Sequence, residues 1–288
     1  SGGSSANTLA GIAITGYTAD TSKGNWQYST NGGSTWTTIG TVSDSSALTL
    51  GVSSSDKLRF LPASNWNGTP PSLTVRLIDS STTVTSGATG VNVSTNGGTT
   101  AISAATVTFS TSVTAVNDAP VNTVLTTTQT AIEDTQLTIT GLSVSDVDGN
   151  LASTQLTVLH GNLNVSLSGG ATISAGANDS ATLTLSGTQA QINAALVTLK
   201  YTSVANYSGA DTLTMLSTDS DGTPLTDSDT VGITVAGVNH APINTVPGAQ
   251  TAVEDTQLSI TGLSVNDVDG NLATTKLTVL HGALNVDI

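Results

Sequence analysis

Two aspartates, Asp146 and Asp148, stand two residues apart ahead of Gly149 in the stretch GLSVSDVDGNLA. The same arrangement returns 121 residues later in GLSVNDVDGNLA, which carries Asp267 and Asp269. Carboxylate oxygens gathered at one place suit Ca²⁺, which accepts roughly six to eight hard oxygen ligands in loose geometry. Without a cation, carboxylates a few ångströms apart repel each other. The repeated pair therefore predicts a calcium site in each copy.

Other metal motifs fit the sequence poorly. An EF-hand loop starting at Asp146 would need Gly at its sixth position and Glu at its twelfth, where the chain has Leu151 and Thr157. There is no run of glycine-rich nonapeptides. The three histidines are scattered and cysteine is absent, which disfavours zinc.

A long internal repeat organises the chain. The segment that begins EDTQLTITGLSV at Glu133 matches the one that begins EDTQLSITGLSV at Glu254 at 28 of 34 positions, and the linkers VNDAPVNTV and VNHAPINTV match as well. The period of about 120 residues suits one β-sandwich per unit. We predict an aromatic-rich sandwich over 1–116, an acidic sandwich over 117–238 and an incomplete copy of the latter over 239–288.

The abundance of Thr, Ser, Gly and Val with little Lys or Glu favours short strands and turns. We predict an all-β fold of tandem Greek-key β-sandwiches. One segment, SGTQAQINAALVTLKYT, places Ile192, Ala195, Leu196 and Leu199 at helical spacing behind Ser186. This pattern predicts one short helix in the second unit, capped by Ser186.

The net charge of -14 is unevenly distributed. Residues 1–116 carry four acids and four bases, residues 117–238 carry eleven acids and one lysine, and the remainder carries five acids and one lysine. Such an acidic surface is a poor partner for nucleic acid. No apolar run approaches the length of a membrane helix and no signal peptide opens the sequence, so we expect no membrane insertion.

The predicted strands bring the acids together. The strand Gln136–Val144 should return the chain to the linker end of the sandwich and deliver Asp146 and Asp148 beside it. The last hairpin should bring Asp219 and Asp221 to the same end. We therefore expect five or six oxygen donors to meet at one junction.

The linker VNDAP, the preceding TDSDG and the following ED and DVDG resemble the calcium-ligand pattern of cadherins, as found in the cadherin-like and Ig-like tandem repeats of giant, type I-secreted, RTX-like bacterial surface adhesins. Residues 1–116 resemble a second repeat type of the same proteins. The resemblance implies one or two calcium ions per junction. It implies ligands from Asn117, Asp118, Asp146, Asp148 and Asp219 at the first junction, to which the strand placement adds Asp221, and from Glu133 or Asp134, Asn239, Asp267 and Asp269 at the second.

The sequence departs from this pattern in places. His240 replaces the linker aspartate, so we expect weaker calcium binding at the second junction. The mid-domain acidic pair of true cadherins has no counterpart, and residues 1–116 contain no glutamate.

The aromatic residues allow a second interpretation. Trp26, Trp36 and Trp66 could bind a sugar or peptide, although a small sandwich commonly buries its tryptophans. The segment NWQYSTNGGSTWTTIG predicts a hairpin around Asn31–Gly33, with Trp26 and Tyr28 on one face and Trp36 in the second strand. Trp66 lies in a loop rich in Pro and Gly, where function often resides.

No arrangement of residues in the sequence indicates catalysis, and no glycine-flanked serine elbow occurs. His160 and His281 occupy the same position of the repeated LTVLHG segment, where we expect a packed or turn residue. We expect a non-enzymatic extracellular protein of the bacterial cell surface, built from calcium-stabilised extender repeats that mediate adhesion. The alternatives are a glycan- or peptide-binding module in residues 1–116 and a self-assembling filament or surface layer. Neighbouring repeats, in the same or identical chains, are the expected partners, and either a longer chain or a second chain would complete residues 239–288.

Overall fold

The computed structural model describes residues 6–286, and the chain forms two compact units, Ser1–Val116 and Asn117–Ile288. Strands make up nearly all regular structure and the described residues contain one α-helix, so the predicted all-β fold is confirmed. Among these residues, no helix is long and apolar enough to cross a membrane. The further division of the chain at residue 238 stays a prediction.

The first unit contains two antiparallel sheets. One has the strand order β7-β4-β1-β6-β8 and the other β3-β2-β5, so the chain crosses between them, as Greek-key connections do. The strands are β1 (Leu9–Gly16), β2 (Gly24–Ser29), β3 (Thr37–Thr38), β4 (Ala47–Gly51), β5 (Lys57–Pro62), β6 (Leu73–Asp79), β7 (Ala88–Val91) and β8 (Ile102–Phe109).

An apolar core lies between these sheets. Ile14 of β1, Leu48 of β4 and Val75 of β6 pack with Trp26 of β2, and each is at most 6% exposed. Tyr28 packs against the same cluster, so Trp26 and Tyr28 share a face as predicted. This arrangement is a β-sandwich.

The hairpin that follows β2 is wider than the sequence suggested. Its loop covers residues 30–36, because the Asn31 side chain accepts a hydrogen bond from the Thr35 backbone N–H at 3.0 Å and holds the loop open. Gly32 and Gly33 adopt the positive φ values predicted for this turn. Trp36 precedes β3, and its predicted place in a strand was wrong.

The second unit has a six-stranded sheet of order β10-β19-β18-β13-β16-β15, a three-stranded sheet of order β11-β17-β14, and the pairs β12-β9 and β20-β21. Its elements are β9 (Val121–Thr123), β10 (Gln129–Ile132), β11 (Leu137–Thr138), β12 (Ser143–Ser145), β13 (Leu151–Thr157), β14 (Gly161–Asn164), β15 (Thr172–Gly176), β16 (Thr182–Ser186), α1 (Gln189–Leu196), β17 (Lys200–Ser203), β18 (Gly209–Asp219), β19 (Thr226–Ala236), β20 (Ile243–Thr245) and β21 (Ser264–Asn266).

Alternation along the long hairpin of β18 and β19 builds this core. Leu213, Met215 and Val231 are buried while their chain neighbours are more exposed, which is the period-two pattern of a half-buried sheet. The smaller sheet contributes Leu163 and Tyr201, both fully buried. The two sheets therefore form a second sandwich.

The single helix, α1, confirms the predicted element but not its predicted cap. Thr188 is the N-cap: its hydroxyl accepts from the Gln191 N–H, and the Gln191 side chain accepts from the Thr188 N–H. Ser186 remains in strand β16. The capping box at Thr188 and Gln191 satisfies two backbone donors, which an isolated serine cap at residue 186 would not do.

Buried polar contacts fix the strand that follows the first linker. The Asn122 amide donates to the backbone oxygens of Met215 and Asp227, and its oxygen accepts from the Ser217 hydroxyl at 2.6 Å. The Asn122 N–H also donates to the Asp227 carboxylate at 2.7 Å. These contacts hold β9, and with it the linker residues just before it, against the β18–β19 hairpin.

A buried carboxylate, that of Asp211, lies near the start of strand β18, at the end of this strand opposite Asp219. Asp211 accepts hydrogen bonds from the backbone N–H groups of Leu159 and His160 and from the Tyr201 hydroxyl. Burial, with the adjoining carboxylate, raises the pKa of Tyr201 far above its ordinary value, so the hydroxyl stays a donor. The His160 ring stacks on Tyr207 with 4.3 Å between centroids, as a packed turn residue would.

The copy in residues 239–286 begins as its counterpart does. Strand β20 pairs with β21 as β9 pairs with β12, with Asn244 opposite Val265 as Asn122 is opposite Val144. Its apolar side chains, however, are exposed: Leu277 is 46% exposed, whereas the equivalent Leu156 is 0% exposed.

This contrast gives a matched pair of substitutions. We expect Leu156→Ala to lower the free energy of unfolding of the second unit by about 2–5 kcal/mol, since it leaves a cavity in the core. We expect Leu277→Ala to change it by less than about 0.5 kcal/mol. Urea unfolding followed by circular dichroism measures both.

All three tryptophans lie in residues 1–116, so their fluorescence reports the first unit and should shift in neither variant. Equal destabilisation by the two variants would contradict the assignment of the core.

Candidate metal sites

The structure gathers most predicted acidic residues into two groups in the second unit. The first cluster lies around the linker that enters this unit, and the second lies around the linker at residues 238–240. The first cluster is Asn117, Asp118, Asp146, Asp148, Asn150 and Asp219; the second cluster is Glu133, Asp134, Asn239, His240, Asp267, Asp269 and Asn271.

Linker residues connect directly to the first cluster. The backbone N–H of Asp118 donates to the Asp148 carboxylate at 2.7 Å. The Asn117 amide donates to the Asp219 carboxylate at 2.7 Å. The linker is thereby joined both to the loop after β12 and to the end of β18.

The loop after β12 is shaped by the first aspartate of its pair. One oxygen of Asp146 accepts from the backbone N–H groups of Asp148 and Gly149, at 2.9 and 3.1 Å. Gly149 has φ +69°, which glycine adopts without strain. The Asp146 N–H donates to the Gln189 side chain at the start of α1, so the helix fixes the position of this loop.

Asp219 is 1% exposed and ends the long strand β18. Burial alone would raise the pKa of this carboxyl, but hydrogen bonds from the Asn117 amide and from the N–H groups of Asp221 and Leu225 hold the pKa below its ordinary value. Asp219 therefore stays ionised although it is buried. The Asp221 side chain is exposed, and its described contact with this site is made by its backbone.

Asn150 belongs to the first cluster, although sequence reasoning missed it. Its amide nitrogen donates to the Asn117 side-chain oxygen at 2.8 Å. The other end of the amide lies 3.0 and 3.1 Å from the two Asp146 oxygens, where the amide turned over places its nitrogen as a donor to that carboxylate. Asn271 makes the equivalent contact with Asn239 at 2.7 Å. Both asparagines are the last residue of a repeated DVDGN motif, and this repetition could have identified them from the sequence.

These contacts test whether calcium fits the first cluster. The carboxylates of Asp146, Asp148 and Asp219 are linked by hydrogen bonds to the linker backbone and to the Asn117 and Asn150 side chains, and the cluster itself contains no basic side chain. Carboxylates from several chain segments with no basic side chain among them are stabilised by a hard cation. The donor set therefore fits Ca²⁺, whose ligands would come from Asp146, Asp148 and Asp219 with the two asparagines.

The second cluster keeps the same backbone frame but holds a different linker side chain. The His240 N–H donates to the Asp269 carboxylate, as the Asp118 N–H does to Asp148. Asp267 accepts from the Asp269 N–H at 3.0 Å, as Asp146 accepts from the Asp148 N–H.

The His240 ring is surrounded by acids. Its Nδ1 lies 3.5 Å from the Glu133 carboxylate and 3.4 Å from that of Asp269, and its Nε2 lies 3.6 Å from the Asp134 carboxylate. One group of three possible His, Cys, Asp or Glu metal ligands is found among the described residues. It consists of Glu133, Asp134 and His240, whose ligand atoms all lie within 4.8 Å of one another.

These charges shift the protonation of the ring. The hydrogen bond with Asp269, aided by the nearby charges of Glu133 and Asp134, raises the pKa of His240 above its ordinary value. Hydrogen bonds from the His240 backbone and ring hold the pKa of Asp269 below its ordinary value. A protonated His240 thus supplies positive charge where the first cluster has none.

The tryptophans considered for ligand binding differ in burial, although Trp26 and Trp66 both pack edge-on against Phe60. Trp26 is 6% exposed and its indole N–H donates to the Pro71 oxygen. Trp36 is half-buried, with the Arg59 guanidinium 4.1 Å from its ring centroid, and Trp66 is half-buried with its ring 5.8 Å from that of Phe60. Trp26 is a core residue, while Trp66 retains a partly open ring in a loop.

Comparisons with known proteins give limited likenesses. A family model described as "Protein GAMETE EXPRESSED 2 domain" matches residues 142–227, less than a third of the chain. No curated protein sequence matches. Four chains of solved structures match; one, the crystal structure of human CDH23 EC21-23, is 15% identical, with a TM-score of 0.36, over 86% of this chain and 69% of that one. A TM-score of 0.36 is too low to establish a shared fold.

The protonation of His240 can be measured. We expect its pKa, read from the imidazole proton shift by NMR in metal-free protein, to lie above the value of about 6.5 typical of an unperturbed histidine. Asp269→Asn should lower it, because the nearest negative charge is removed.

The same shift sets a pH dependence. Since folding raises this pKa, the stabilisation from the imidazolium is complete below about pH 6.5 and is lost as the pH rises through the raised pKa. His240→Gln should therefore cost stability at pH 6 and little at pH 9. A pKa at or below 6.5 in the wild-type chain would refute this description of the second cluster.

Proposed function

We propose that this chain is a segment of a non-enzymatic, extracellular adhesion protein of the bacterial surface, in which calcium ions bound beside the linkers stiffen a row of β-sandwich repeats. The observation that supports it is the first cluster, where side chains from the linker, the loop after β12 and the end of β18 converge through direct hydrogen bonds. An ion bound there would tie three chain segments together.

The energetics favour such a role. At a Kd of about 10⁻⁴ M, typical of extracellular calcium modules, about 10 mM calcium stabilises the folded state by roughly 2.7 kcal/mol per site. Domains are commonly stable by only about 5–15 kcal/mol, so one ion supplies a sizeable share. The sandwich would then be most rigid where the ion concentration is highest, outside the cell.

The placement of the acids also supports a structural rather than a catalytic use. Asp219 and Asp146 are buried and already accept several backbone N–H groups, which fixes them in place. A general base must be within reach of a substrate proton, whereas these two residues are at most 8% exposed. Groups fixed in this way are suited to holding an ion.

Removal of calcium tests the proposal. We expect the melting temperature of the second unit, followed by circular dichroism, to fall by on the order of 10 °C when about 10 mM calcium is replaced by EDTA. Small-angle scattering should then report a more flexible chain. No change in either measurement would contradict the calcium proposal.

Matched substitutions locate the ion. Asp146→Asn keeps an oxygen for the N–H groups of Asp148 and Gly149 but removes a charge, and it should abolish most of the calcium-dependent rise in melting temperature. Asp267→Asn, at the equivalent position of the second cluster, should have a much smaller effect, because His240 replaces an acid there. Equal effects of the two variants would show that the first cluster is not the principal calcium site.

The half-buried Trp66 leaves a second use of residues 1–116 to be tested. A glycan array with the full chain, compared with Trp66→Ala, would detect a sugar-binding module. Binding lost in the variant would favour that role, and a blank array would remove it.

A further inference from the structure

We propose that the second cluster binds a divalent transition-metal ion of the zinc class through His240, Glu133 and Asp134, in preference to calcium. This proposal deepens the proposed function by naming the ion at one linker, and it does not require calcium at the first cluster. It reverses the sequence-based expectation against zinc, which considered histidines and thiols but not their combination with carboxylates.

The backbone contacts of this linker match those at the first cluster, while the surrounding side chains differ: His240 stands in place of Asp118, and Glu133 and Asp134 lie beside it. Asp118 and His240 both donate their N–H to the second aspartate of the following DVDG loop. Asn117 and Asn239 both accept from the asparagine that ends DVDGN. The change from Asp to His therefore alters the donor chemistry of the site and leaves its frame in place.

Glu133 provides the second, independent observation. Its side chain is 2% exposed, and among the described residues its carboxylate accepts one hydrogen bond, from the Val238 N–H at 2.8 Å. A buried carboxylate with so few partners is costly unless a positive charge lies next to it. The His240 ring can carry or coordinate such a charge, and its Nδ1 lies 3.5 Å from the Glu133 carboxylate.

The donor types select the ion. Two carboxylates and one imidazole are an ordinary zinc ligand set, whereas calcium prefers oxygen donors throughout. Tetrahedral zinc with bonds of about 2.0–2.1 Å places its ligand atoms about 3.3 Å apart. The separations of Nδ1 from the Glu133 oxygen, 3.5 Å, and from the Asp269 oxygen, 3.4 Å, are close to that value, while Asp134 lies on the Nε2 side of the ring.

Small side-chain rotations would complete such a site. All three ligand atoms lie within 4.8 Å of one another, and Asp134 is 47% exposed and so is free to turn. Asp269, with an oxygen 3.4 Å from Nδ1, is positioned to supply a fourth ligand. The ion would join the end of β10 to the linker at 238–240 and to the loop after β21.

Calorimetric titration of the metal-free full chain at pH 7.5 tests the proposal, with zinc chloride and calcium chloride as separate probes. We expect the wild-type chain to bind one zinc ion at this cluster. His240→Ala should weaken zinc binding at least about tenfold. His240→Asp should also weaken zinc binding, because it removes the nitrogen donor, and should strengthen calcium binding, because it adds an oxygen donor.

His160→Gln and His281→Gln are the matched controls and should bind zinc as the wild-type chain does. Circular dichroism confirms that each variant is folded. Zinc binding that is absent in the wild-type chain, unchanged in His240→Ala, or lost in the two controls would overturn the proposal.

The calcium-dependent rise in melting temperature is read in the same preparations. A calcium-dependent rise without zinc binding would support the calcium proposal and overturn the zinc proposal. Zinc binding without any calcium-dependent rise would support the zinc proposal and contradict the calcium proposal.

Discussion

Hydrogen bonds from backbone N–H groups to carboxylates are the interaction on which the linker regions of the second unit depend. Asp146, Asp148, Asp219 and Glu133 each accept at least one such hydrogen bond. Carboxylates brought together repel one another, and each N–H donor offsets part of that repulsion while fixing the direction of the remaining lone pairs. The linkers, the turns and the strand ends are all positioned by these contacts.

This constraint explains why two clusters with one backbone frame have different chemistry. The first cluster offers oxygen donors, and nothing within it balances their charge. In the second, the His240 ring lies among three carboxylates and can carry a proton or bind a metal. His240, together with Glu133 and Asp134, thus changes the donor set of the second cluster while the backbone contacts of the linker stay the same.

Much of the fold follows from local sequence patterns. The alternation in β18 and β19 predicts their buried faces, since Leu213 and Met215 in β18, and Val231 and Ile233 in β19, stand two residues apart. The spacing of Ile192 and Leu196 predicts the helix. Its start depends on whether Ser186 or Thr188 acts as the N-cap, and in the structure Thr188 forms the capping box with Gln191. The position of Trp36 depends on loop width, which the Asn31 side chain sets and Asn-Gly alone does not.

The sites were less accessible to sequence reasoning because they join distant parts of the chain. The pairing of DVDG with the linker followed from strand direction, and the structure brings Asp118, Asp146, Asp148 and Asp219 into one network. Asn150 resembles an ordinary turn residue until its amide is seen between Asn117 and Asp146. The contact of His240 with Glu133 spans more than a hundred residues and depends on the parallel pairing of β10 with β19, which no local pattern reveals.

The most direct test of the central claim is a crystal structure of the full chain grown in about 10 mM calcium, with anomalous diffraction to identify bound ions. The account predicts a calcium peak in the first cluster, about 2.3–2.6 Å from oxygens of Asp146, Asp148 and Asp219. A well-ordered first cluster with no ion, its carboxylates held by protein hydrogen bonds and water alone, would contradict it.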